Sequence, residues 1–226
     1  MKAMILAAGR GVRMRPLTNT TPKPLLPVCG RPLIAHLIDR LRGAGFDDIV
    51  INVSHLGAAI EGALGNGAAL GVRIAYSREP EALETAGGIA AALPLLGDRP
   101  FVVANGDIYS EYEFERLRPI ARQLARGSLA HLVLVANPPH HPAGDFCLRR
   151  GVLALEGEPR LTFSGIGVYR PELFSPLAPG ARHSLAALLR EPISRGEIGG
   201  EQYHGLWLDV GTPQRLAELD QHLAGR

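Results

Sequence analysis

Ile5-Leu-Ala-Ala-Gly-Arg-Gly-Val-Arg-Met-Arg-Pro-Leu-Thr-Asn-Thr-Thr-Pro-Lys-Pro-Leu-Leu-Pro27 is the stretch from which the architecture unfolds. The apolar run Met4-Ile5-Leu6 reads as a short strand that ends in small residues and enters a glycine-rich turn. Gly9 and Gly11 let the backbone take unusual dihedrals and approach a ligand closely. Successive backbone N–H groups in such a turn form an anion-binding concavity, and Arg10, Arg13, Arg15 and Lys23 surround it with fixed positive charge. The segment reads as a cradle for a polyphosphate.

Two familiar phosphate loops do not fit. A dinucleotide fingerprint needs a third glycine and a helix opening inside the motif; here Met14 stands at that place, and Pro16 and the threonines after it are not helical in character. A Walker loop needs Gly-Lys-Ser/Thr after four intervening residues, which is absent.

Outward from the loop, strand and helix patterns alternate. Strands are predicted at Ala3–Ala7, Ile49–Val53, Val72–Tyr76, Phe101–Ala104 and Leu129–Ala136. Helices are predicted at Pro32–Ala44, Leu56–Leu64, Ala86–Leu95 and Glu111–Arg126. Such alternation implies a mostly parallel sheet with helices on both faces, a three-layer α/β/α arrangement of Rossmann-like type. The second half changes character: Phe146–Leu148, Val152–Leu155 and Leu161–Tyr169 read as short strands of a small antiparallel extension. Helices at Ser184–Arg195 and Pro213–Leu223 flank a predicted strand, Tyr203–Val210. We expect one domain over 1–226, with halves at about 1–110 and about 111–226.

Composition narrows the partners. A net charge of +2 and 5% aromatic residues give no nucleic-acid surface, and the local cationic cluster suits a small anionic ligand. Cys29 and Cys147 lack metal-ligand spacing and read as reduced thiols. With neither a signal-type apolar segment nor a membrane-spanning run, the expected place is the cytoplasm and the expected state a monomer. The eight histidines form no metal cluster, and His140-His141 read as adjacent loop residues that point apart.

Two carboxylates stand out. Asp107 ends the apolar strand Phe101-Val-Val-Ala-Asn-Gly-Asp107, at the sheet edge where open α/β sheets bind ligands. Asp209 lies in Trp207-Leu-Asp-Val-Gly-Thr-Pro213, although Thr212 is the better cap for the helix that follows.

Taken together, Leu6–Pro24, Asn105-Gly-Asp107, Glu84-Thr-Ala-Gly-Gly88 and Trp207–Pro213 resemble, in order, the motifs of sugar-1-phosphate nucleotidyltransferases. Val12 departs from the usual Thr or Ser, which loses a hydroxyl but keeps the backbone cradle. The resemblance implies transfer of a nucleotidyl group from UTP to a sugar-1-phosphate, with Mg²⁺ held by Asp107 and Asp209. It implies one catalytic domain over 1–226, with a nucleotide-binding half at about 1–110 and a sugar-binding half at about 111–226, and Arg13, Lys23 and Asp107 as catalytic residues. Nucleotide contacts would come from Leu6, Ala7, Ala8, Gly9, Gly11, Val12, Arg13, Lys23, Glu79, Ala86, Gly87, Asn105 and Gly106. Sugar contacts would come from Gly144, Asp145, Glu158 and Ser164, where the motifs are degenerate and point to a sugar other than plain glucose. A mannose-1-phosphate guanylyltransferase, a glucose-1-phosphate thymidylyl- or uridylyltransferase, or an inactive nucleotide-sensing subunit are the alternatives. The last would be expected to lose Lys23, Asp107 or Asp209, and all three are present.

Overall fold

Met4 and Ile5 point to opposite faces of one strand, and each finds its own core. The computed structural model describes residues 1–124 and 127–225, so the last two positions of the helix expected at Glu111–Arg126, and Arg226, lie outside the described residues. In chain order the elements are β1 (Ala3–Leu6), β2 (Pro27–Val28), β3 (Arg31–Pro32), α1 (Leu33–Gly43), β4 (Asp48–Val53), α2 (Gly57–Leu64), β5 (Arg73–Arg78), α3 (Glu84–Leu96), β6 (Phe101–Asn105) and β7 (Ile108–Ser110). There follow α4 (Leu117–Leu124), β8 (Ala130–Val135), β9 (Phe146–Arg149), β10 (Val152–Ala154), β11 (Arg160–Tyr169), α5 (Leu185–Ser194), β12 (Ile198–Gln202), β13 (Trp207–Asp209) and α6 (Pro213–Ala224).

Nine strands form the main sheet in the order β5-β4-β1-β6-β11-β8-β12-β10-β9. The sheet is parallel from β5 to β6; β11 then runs antiparallel to both β6 and β8, and β12 is parallel to β8. This is the expected Rossmann-like mixed sheet, with β9 and β10 as its antiparallel end. On one face, Ile5, Ile51, Val102 and Val168 pack under Ile34, Ile38 and Leu41 of α1, Ile60 of α2 and Leu117 of α4. On the other, Met4, Val50, Val103 and Leu132 pack under Ile89 and Ala92 of α3 and Leu189 and Ile193 of α5. Each such fully buried aliphatic side chain contributes about 1.5–3 kcal/mol. These two cores fix the sheet edge on which the site stands.

A third, smaller core holds a separate ribbon. β7 and β13 pair antiparallel outside the main sheet, with Asp209 opposite Ile108. Val28, Leu33, Tyr109, Val210 and Leu219 pack together behind it, so α6 clamps the ribbon against the α1 end.

Two expectations need correction. No helix starts at Glu111: α4 begins at Leu117 after a single 3₁₀ turn, because Glu111 N–H continues the ribbon by donating to Leu206 O at 3.0 Å. Pro119, in the first turn of α4, suits a helix start rather than an interior. Nor is Tyr203–Val210 one strand. β12 lies upstream, in the main sheet, and β13 belongs to the ribbon. Gly199-Gly200 hid β12 from an apolar pattern; a Cβ on Gly200 would overlap Leu153, so the glycine is there for close packing.

Candidate active site

Leu6 is flanked in register by Asn52 of β4 and Asn105 of β6, which puts two amides at the carboxyl edge of the parallel strands. Beyond this row opens a cleft of about 350 Å³. Its walls include Leu6, Ala7, Ala8, Gly9, Gly11, Val12, Arg13 and Lys23 from the loop, with Glu79, Asn105, Gly106 and Asp107 opposite. Gly11 has a φ of 60°, and a Cβ there would stand 2.9 Å from Thr18 Cγ2. Thr18 Oγ1 in turn donates to Gly11 O at 2.8 Å, so the turn is locked from behind. Gly106 lies so close to β1 that a Cβ would come within 2.7 Å of Leu6 O, and its N–H donates to that oxygen at 2.8 Å.

One network organises the deep end of this cleft. Asn52 Oδ1 accepts from Ala7 N–H at 2.8 Å, while its Nδ2 donates to Glu79 Oε1 at 2.7 Å. Glu79 Oε2 accepts from Leu83 N–H at 2.9 Å. Both side chains are buried. The phosphate turn is thereby tied through Asn52 to the loop that frames the end of the cleft. Asn52 went unnoticed in the sequence because an asparagine inside Ile49–Val53 carries no local signal; only its register beside Leu6 reveals it.

Ala86 and Gly87 do not line the cleft. They are buried, and their N–H groups donate to His183 O at 3.0 and 3.1 Å. A Cβ on Gly87 would overlap Ala181 O, so this glycine serves the approach of α3 to residues 181–183. Ala82, Glu84 and Thr85, just upstream, line the cleft instead.

A second cleft of about 330 Å³ adjoins the first, and Arg13, Asn105 and Asp107 line both. Thr162, Phe163, Ser164, Trp207, Asp209 and the histidine pair complete its walls. β11 bulges between Phe163 and Ile166; Ser164 Oγ donates to Val133 O at 2.7 Å and accepts from Ile166 N–H at 3.1 Å. Trp207 Nε1 donates to Ser164 O at 2.8 Å and so fastens the ribbon to the bulge. Ser164 thus shapes the wall while its hydroxyl is spent on the backbone.

The other expected sugar residues lie outside this wall. Asp145 holds it from behind, with Oδ2 accepting from Phe163 N–H at 2.8 Å and Oδ1 at 3.1 Å from His141 Nε2. Gly144, at φ 60°, packs against Asn137, which crowds out any side chain there. Glu158 is exposed between β10 and β11 and reaches neither cleft. His140 and His141 are loop residues, as expected, and reach different carboxylates, yet both line the second cleft, where His140 Nε2 sits 2.9 Å from Asp209 Oδ1. That placement depends on the fold of the 136–145 connection, which local sequence does not specify.

The ribbon puts Asp107 and Asp209 side by side, with Val210 N–H donating to Asp107 O at 2.8 Å. Lys23 Nζ pairs with Asp107 Oδ2 at 2.6 Å, and Arg215 Nη1 pairs with Asp209 Oδ1. These contacts use one oxygen of each carboxylate, and the second remains for a cation. Two carboxylates facing a polar cleft, beside room for phosphate, are the donor set that Mg²⁺ prefers. The residues therefore fit that ion.

Fold and cleft together define a nucleotide-handling α/β enzyme, and the comparisons agree: the nucleotidyl transferase family pattern matches residues 2–147, and the chain belongs to that family. It is 55% identical to N-acetylmuramate alpha-1-phosphate uridylyltransferase of Neisseria meningitidis, over 100% of this chain and 99% of the relative. A protein of the same name from Caulobacter vibrioides is 36% identical over 98% of this chain and 96% of its own. The fold is shared with a Bacillus anthracis chain described as a glucose-1-phosphate thymidylyltransferase, with a TM-score of 0.86 at 24% identity over 98% of this chain and 94% of that one. Among the described residues, no helix is long and apolar enough to cross a membrane.

Proposed function

We propose that the chain transfers the uridylyl group of UTP to N-acetylmuramate α-1-phosphate, forming UDP-N-acetylmuramate and pyrophosphate. The observation that carries this is the meeting of the two clefts at Arg13, Asn105 and Asp107, in a chain that matches the Neisseria relative from end to end. Joining two phosphorylated substrates requires each to have its own pocket and both to present phosphorus and oxygen at one shared, positively charged boundary.

In this reading the Gly9–Gly11 turn and Arg13 take the β- and γ-phosphates, and Lys23 reaches the α-phosphate. The base lies toward Glu79, whose carboxylate only accepts and so suits an N–H edge such as that of uracil. The sugar phosphate occupies the second cleft, and one of its oxygens attacks the α-phosphorus in line with the departing pyrophosphate. That oxygen is already ionised at neutral pH, so no side chain must take a proton. The protein's part is positioning and charge neutralisation, with Lys23 standing at the boundary where the charge shifts. Mg²⁺, held by Asp107 and Asp209, would offset the repulsion between the two substrates. We place the reaction in peptidoglycan recycling in the cytoplasm.

Pyrophosphate release from a matrix of nucleoside triphosphates and sugar-1-phosphates tests the proposal. UTP with N-acetylmuramate α-1-phosphate should give the highest kcat/KM. A faster reaction of GTP with mannose-1-phosphate would reassign the substrate, and no turnover with any pair would sink the enzyme reading.

A further inference from the structure

Asp209 closes β13, and the helix that follows turns an arginine back onto it. Thr212 caps α6 by accepting from Arg215 N–H at 3.3 Å, which sets Arg215 in the first turn. Its Nη1 donates to Asp209 Oδ1 and meets His140 Nε2 at 2.7 Å, while its Nε reaches Thr212 Oγ1 at 3.4 Å. The side chain keeps only 15% of its exposure. Gly211 makes room for it: a Cβ there would overlap Arg215 Nη2 and stand 3.2 Å from Arg13 Nη2. This is a built position rather than a solvated surface arginine.

The other carboxylate has a matching arrangement. Lys23, 9% exposed at its side chain, holds Asp107 Oδ2 at 2.6 Å. Each of the two neighbouring carboxylates thus carries a cation supplied by the chain. A divalent ion arriving alone meets positive charge already in place. A triphosphate changes that balance, because its oxygens offer Lys23 and Arg13, which line the first cleft, another anionic partner and bring negative charge toward the Asp209–Arg215 pair.

Resting on the reading of Asp107 and Asp209 as the cation ligands, we infer that Arg215 is a positioning residue: it is the internal counter-ion of Asp209, as Lys23 is of Asp107, and holds the divalent-ion site in reserve until a nucleoside triphosphate is present.

The test is Mn²⁺ binding to the full chain without nucleotide, followed by the electron-spin-resonance signal of the free ion. The parent protein should bind Mn²⁺ weakly, and Arg215→Met should bind it at least about fivefold more tightly, since a like charge has been removed from the site. Arg215→Lys keeps the charge and should stay within about twofold of the parent. Adding Asp209→Asn to Arg215→Met should abolish the gain. An Arg215→Met variant no tighter than the parent, a Lys variant as tight as the Met variant, or a gain that survives Asp209→Asn would each overturn the inference. Circular dichroism and thermal melting report whether Arg215→Met is folded. If it is not, Lys23→Met must show the same tightening through Asp107, and its absence is equally fatal. None of these measurements needs turnover, so they stand apart from a failure of the proposed substrates to react.

Discussion

The two sides of the active cleft are built in opposite ways. On the side proposed for the triphosphate, one continuous segment, Leu6 to Lys23, supplies about half of the wall; its turn is locked locally by Thr18 and braced from β4 by Asn52. The side proposed for the sugar draws on the 138–141 connection, the β11 bulge and the β7–β13 ribbon, held together by long-range bonds such as Trp207 to Ser164 and Asp145 to Phe163. A chemical task common to all triphosphates can be met by a short motif. Recognition of one particular sugar has to be assembled from distant pieces, and the two sides share only the Arg13, Asn105 and Asp107 boundary.

The largest expected effect lies where the two sides meet. Lys23→Ala and Asp107→Asn should each lower kcat by about 10²–10³-fold, the usual cost of removing one preorganised charge from a transition state. Circular dichroism should show both variants folded; near-normal turnover in either would place the chemistry elsewhere. Next comes the rigidity of the triphosphate side. Gly106→Ala brings a Cβ to 2.7 Å from Leu6 O, and overpacking of this kind costs about 1–3 kcal/mol, read as a drop in Tm. An unchanged Tm would mean that β1 and the 105–107 turn can separate freely.

Trp207→Phe tests the sugar side alone. Losing the bond to Ser164 O should cost about 1 kcal/mol, and KM for the sugar phosphate should rise while KM for the triphosphate holds. Equal changes in both would erase the distinction between the sides.

The smallest effect is one of pH, in the network behind the sugar side. His131, the Tyr112 hydroxyl and Arg116 surround Glu201 and hold its carboxyl below the ordinary value of 4.5, against the opposing effect of burial. A depressed carboxyl pKa contributes stability above 4.5 that is lost as pH falls through the lower folded value. Glu201→Gln should therefore melt below the parent at pH 7, by a margin that closes in acid. A margin independent of pH would deny the carboxylate that role.

Legibility in the sequence follows the same division. Strands such as Phe101–Asn105 and helices such as Leu33–Gly43 were visible because an apolar period survives wherever one face packs on a core. β12 was invisible, since its glycines answer to a neighbouring strand's side chains and not to a period. Ala86 and Gly87 looked like a base pocket because small residues admit a flat ring. In the fold they admit the 181–183 backbone instead, which no local pattern announces. His140 and His141 carried no signal at all, being placed by a connection that Asn137 and Asp145 bind to β11.

By itself the sequence determined the class of sheet, the glycine-rich turn with its cations and the carboxylate at the end of Phe101–Asp107, because these depend on periodicity, on glycine's freedom and on charges a few residues apart. Only the tertiary structure decided that Asn52 braces the turn, that Asp209 comes beside Asp107 on a separate ribbon, and that Lys23 and Arg215 attend the two carboxylates. Most of those relations join residues far apart in the chain through strand register and hydrogen bonds, and register is set by the whole core rather than by any one segment.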